Sequence, residues 1–146
     1  MKKIILLLAG FVITTSAFSQ SANKMDSWAE LNSFHKVMSE TYHPSEDGNL
    51  KPIKERSEEL LQASVALHKS NPPAGIDKKI MEDATTRLAY GCKELMGLIS
   101  LQASDEEITK KLASVHDTFH QIAGLCEKSG TKPNQSLDHS DPNHKH

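Results

Sequence analysis

The stretch SDEEITKKLASVHDTFHQIAGLC, residues 104–126, decides the fold. Ser104 and Glu107 stand three apart ahead of an apolar run, the spacing of a capping box, which predicts a helix opening there. Behind them Ile108, Leu112, Val115, Phe119, Ile122 and Cys126 recur every three or four residues. That period puts one apolar stripe on one helix face, and such a stripe must be covered by other helices. The same stretch carries His116 and His120, four residues apart. An i, i+4 pair projects from one face, so both imidazoles can point at one spot.

Upstream, the pattern repeats three times. Residues 77–101 predict a helix whose stripe is Met81, Ala84, Leu88, Cys92, Leu95 and Ile99, with Gly91 as its weakest point. Asn71-Pro72-Pro73-Ala74-Gly75 is a strong breaker before it. Residues 50–70 predict a helix with Pro52 in its first turn and Ile53, Leu60, Leu61, Ser64 and Leu67 inward. Residues 27–43 predict the first helix, opened by a Ser27/Glu30 capping box and stopped by Pro44. Its stripe is Trp28, Leu31, Phe34 or His35, Met38 and Tyr42. Pro44-Ser45-Glu46-Asp47-Gly48-Asn49 reads as a turn by composition. Short connections make neighbours antiparallel, so the expected class is an all-α, antiparallel up-down-up-down four-helix bundle over residues 26–130. Few aromatics and no β pattern fit that class.

The ends are of another kind. Lys2 and Lys3 precede an apolar run, Ile4 to Ile13, and Ala17-Phe18-Ser19 supplies small residues at the positions a signal peptidase reads. Residues 1–19 are therefore expected to be a secretory signal peptide, too short to span a bilayer, which needs about 20 apolar residues. No cysteine follows for a lipid anchor, and no later stretch is apolar enough for a membrane span. Export to the periplasm is the expectation, with residues 20–25 as a short leading segment. Removing two lysines leaves a mildly acidic remainder, unlike a nucleic-acid surface. Residues 131–146 are polar and aperiodic and read as a disordered tail carrying His139, His144 and His146, which can catch metal weakly.

Three short stretches resemble the soluble cytochrome b562 kind of four-helix bundle, within the cytochrome c′-like architecture. They are Leu31-Asn32-Ser33-Phe34-His35-Lys36-Val37-Met38, the Ser70-Asn71-Pro72-Pro73 turn, and Phe119-His120-Gln121. The resemblance implies a non-covalent b-type haem, electron transport, and His120 as an axial ligand. It departs at the family's other axial ligand, a methionine near the start of helix 1, where this chain has Trp28. Trp does not ligate iron, so haem here requires another partner for His120, such as His35. The absence of a CxxCH motif excludes covalent c-type haem.

The residues themselves point to a transition metal. With helix 1 starting beside the end of helix 4, a rise of about 1.5 Å per residue puts His35 level with His120 and Met38 or Ser39 level with His116. Three imidazoles and a thioether suit copper, zinc or nickel. The expected metal set is thus His35, His116, His120 and Met38, for metal capture or delivery. The plainer readings are a solvated helix edge for the histidines and core packing for Met38. His43 reads as a cation at the end of helix 1, with Glu46 and its neighbours as turn residues or a second metal site. His68 is placed at the exposed end of helix 2 with no role. Cys92 and Cys126 fall about 21 Å apart along the helix 3–4 hairpin, beyond the roughly 7 Å a disulfide tolerates, so both are expected as buried thiols. No nucleophile elbow, phosphate loop or His-Glu-x-x-His motif is present, and no enzyme is expected. A cofactor-free bundle that binds a periplasmic protein partner is the remaining alternative.

Overall fold

Four helices, Ala29–Glu46 (α1), Lys51–Lys69 (α2), Lys78–Ser100 (α3) and Asp105–Lys128 (α4), form the computed structural model, which describes residues 27–129. The expected signal peptide at 1–19, the segment 20–25, the helix stop at Gly130 and the tail at 131–146 lie outside the described residues. Each helix packs on its sequence neighbour, and α4 closes the ring on α1 across a thinner seam. Among the described residues there is no strand, and no helix is long and apolar enough to cross a membrane. The chain is an all-α four-helix bundle, the class read from the sequence.

The apolar stripes meet in one core. All six stripe residues of α4, from Ile108 to Cys126, are buried, as are Met81, Ala84, Leu88, Cys92 and Leu95 of α3. Leu31, Phe34 and Met38 of α1 and Ile53, Leu60 and Leu67 of α2 are fully buried against them. Gly91 lies where α3 and α4 approach closely, since a Cβ there would stand 3.2 Å from Val115 Cγ2. The helix runs through it unbroken. Cys92 and Cys126 form no disulfide, and both are buried. Burial pushes the Cys92 thiol up to about 12, so it stays protonated and inert.

The helix ends follow local chemistry, with two corrections to the sequence reading. At α4 the capping box forms as expected: Ser104 Oγ accepts from the Glu107 amide at 3.3 Å, and Glu107 Oε2 accepts from the Ser104 amide at 3.0 Å. At α1 the N-cap is Trp28, one residue beyond the Ser27 expected there, and the Trp28 side chain packs instead of capping. The Trp28 indole is 3% exposed and donates its Nε1–H to Ser70 Oγ at 2.8 Å, which ties the start of α1 to the end of α2.

The second correction concerns Pro44, which lies inside α1. Proline removes one backbone donor, a loss a helix bears when it has only a turn left to run. The helix runs on to Glu46 and is closed off by Gly48, whose φ of +79° is the left-handed conformation glycine adopts freely. Asn49 N–H bonds Pro44 O and Gly48 N–H bonds Ser45 O, both at 3.0 Å, the paired bonds of a Schellman stop. The α3 end repeats the motif with Ala103 N–H on Leu98 O and Gln102 N–H on Ile99 O. There the left-handed position, φ 55°, is held by Gln102 rather than glycine.

Candidate functional site

The α1–α4 seam collects most of the chain's described histidines. On α4, Val115 and Phe119 point into the core, so the residue after each, His116 and His120, turns to the flank that meets α1. His116 Nε2 and His120 Nε2 lie 3.1 Å apart, with the rings edge-on at 4.4 Å between centroids. At that distance one nitrogen carries a proton and donates to the other. It is also the separation of two ligands on one ion. Imidazole nitrogens each about 2.0–2.1 Å from a metal stand roughly 2.9–3.4 Å apart for bond angles between square and tetrahedral.

Aromatic stacking fixes the pair from the α1 side. The Tyr42 ring lies flat on His116, with centroids 3.8 Å apart and planes 8° apart. His35 stacks on Phe119 at 4.9 Å, and Phe119 in turn touches His120 at 5.5 Å. The sequence register put Met38 or Ser39 level with His116, yet Tyr42 makes the contact. Helical side chains lean toward their own N-terminus by about a turn, so in an antiparallel pair the Tyr42 and His116 rings lean toward each other. Met38 is 0% exposed and belongs to the core cluster with Phe34 and Phe119. That burial fits the plainer reading of Met38, core packing.

Electrostatics favour the neutral form of His116. Partial burial, then the neighbouring charge of His120, lowers the His116 pKa, with His43 adding to the effect and Asp117 and Glu46 opposing it. A neutral ring is the form that ligates metal. On the outer side of the seam His43 Nδ1 meets Glu46 Oε2 at 2.9 Å, both side chains more than half exposed. This pair exists because α1 continues past Pro44. Residues 43 and 46 then stand one turn apart on a helix instead of being scattered in a turn. The sequence named Tyr42 on the stripe and His43 and Glu46 beside a turn or as a second metal site; what it did not show is their contact geometry, for which Gly48 as the helix stop is the signal.

The structure thus brings His116 and His120 together, sets His35 one ring away, and sends Met38 inward. Among the described residues no group of three or more His, Cys, Asp or Glu side chains is arranged to hold a metal ion. His68 is not at an exposed end: it is half-buried, its Nδ1 is 3.1 Å from Thr85 Oγ1, and it lines a cavity of about 250 Å³ with Trp28 and Lys78. No protein-family model, curated protein or solved structure matches the chain. The likeness to cytochrome b562 therefore rests on three short stretches, and the shared ground is the four-helix bundle itself.

Proposed function

We propose that this bundle captures a divalent transition metal through His116 and His120, outside the cytoplasm if residues 1–19 act as the export signal their pattern indicates. The observation that carries the reading is the 3.1 Å approach of the two Nε2 atoms on one helix face. With Met38 in the core, the donors at the seam are imidazole nitrogens. Such donors suit Cu(II), Zn(II) or Ni(II) better than the soft Cu(I) that a thioether would recruit. His35, one ring away from His120 across Phe119, is the nearest reserve imidazole that the sequence register already favoured. Two protein ligands leave positions for water or for a ligand from a delivery partner, as capture followed by release requires.

Purified protein should bind one equivalent of copper, zinc or nickel by elemental analysis, with no Soret band in the visible spectrum. His116→Ala and His120→Ala should each weaken binding at least about tenfold, the scale of one lost ligand interaction of roughly 1.4 kcal/mol. Unchanged affinity in both variants removes the metal reading. A Soret band after haem addition, lost in His120→Ala, replaces it with the b-type haem reading.

A further inference from the structure

The His43–Glu46 pair has the form of a metal ligand waiting with its orienting carboxylate. Metal-bound histidines commonly donate their non-ligating N–H to a carboxylate, which fixes the tautomer and aims the other nitrogen. Here Glu46 Oε2 takes the Nδ1 side at 2.9 Å, which leaves Nε2 as the nitrogen with a free lone pair. Tyr42 joins this pair to the α4 histidines. Its ring contacts His43 edge-on at 5.9 Å and His116 face-on at 3.8 Å. The His43 side chain is 63% exposed, so rotation about its own bonds meets little packing resistance.

We propose that His43 is the third imidazole of the seam site, that it swings in through Nε2 once a metal sits on His116 and His120, and that Glu46 is the residue that positions it. This deepens the metal reading above and rests on it. The completed set would be three neutral imidazoles with one open position, a donor set suited to Zn(II) or Cu(II) with a bound water or small anion. The donors are not closed around a point in the resting arrangement, so metal binding is coupled to the movement of one surface side chain.

The test loads the purified chain with Cu(II) and counts coordinated imidazoles by pulsed electron paramagnetic resonance, alongside Zn(II) titrations. One imidazole fewer in His43→Ala than in the unsubstituted chain, with affinity weakened at least about tenfold, supports the proposal. Glu46→Gln should keep the imidazole count while weakening Zn(II) binding about tenfold or more, the effect of losing an orienting partner. An equal imidazole count and unchanged affinity in His43→Ala overturn it. His116→Ala and His120→Ala separate the two failures. If they lose binding while His43→Ala does not, only the third ligand falls; if none of the three changes binding, the seam site itself falls. His43 and Glu46 are exposed, so helix content by circular dichroism should be unchanged in every variant of α1 named here.

Discussion

At Met38 the sequence allows two readings, which stability and metal affinity tell apart. A methionine on the apolar stripe of a helix is either a core filler or, beside histidines, a soft ligand. Its full burial with Phe34 and Phe119 fits the filler, and two substitutions test it. Met38→Leu nearly conserves volume and should cost less than about 1.5 kcal/mol. Met38→Ala opens a cavity and should cost roughly 2–5 kcal/mol. Denaturant titration measures both, and metal affinity should be the same for Met38→Leu as for the parent. A large loss of affinity in Met38→Leu would return the thioether to the ligand set.

His116 gives a second prediction at this scale. Its pKa is lowered in the folded chain, first by burial and then by its histidine neighbours. Between the folded and unfolded values the unfolded chain holds a proton that the folded chain does not, so stability rises with pH in that window. The contribution is intact above the unfolded value and is lost as pH falls through the folded one. Metal-free protein should therefore lose stability between about pH 8 and about pH 5, and His116→Gln should lose less over the same range. A urea midpoint shift of equal size in both proteins would show that the His116 ring is not the source.

At the scale of elements, the two Schellman stops form a natural comparison. Gly48 takes a left-handed position without cost, whereas Gln102 takes one that costs a side-chain-bearing residue about 1–2 kcal/mol. Gln102→Gly should relieve part of that cost and stabilise the bundle by about 1 kcal/mol, read as a higher denaturation midpoint. Gly48→Ala should move the midpoint the other way. What the sequence made legible at this scale was periodicity, since the stripes of α2, α3 and α4 all reach the core. The end of α1 is less legible, because Pro44 carries the pattern of a stop yet lies inside the helix. A proline ends a helix by denying hydrogen bonds, and so near a terminus it denies only one. That single turn decides whether His43 and Glu46 are neighbours.

Across the whole molecule, the fold was more legible than the site, and for a physical reason. Burial is a property of every third or fourth residue over four helices, so the pattern averages out single errors. The site depends on two side chains from one helix meeting side chains of another at the seam where the helices touch least. Axial register placed His35 beside the Phe119–His120 step correctly. It could not show that Phe119 would lie between them, or that Tyr42 would reach back over a full turn onto His116. The seam is closed by stacked rings more than by interlocked aliphatic chains. That leaves α1 firmly bound on its α2 side, where Arg56 also clasps Glu40 at 2.9 Å, and more lightly bound on the side that carries the histidines.

The anchoring of Trp28 has an optical consequence. It is the chain's single tryptophan, sealed at 3% exposure, with its indole N–H committed to Ser70. Its fluorescence therefore reports one event, the parting of the α1 start from the α2 end, with no other indole to mix into the signal. Tyr42, fourteen residues along the same helix and about 21 Å away, lies against the imidazole pair. The indole thus brightens or shifts with unfolding, whereas a paramagnetic ion at the seam would dim Tyr42 while the bundle stays folded, with the exposed Tyr90 of α3 as the second tyrosine in the signal.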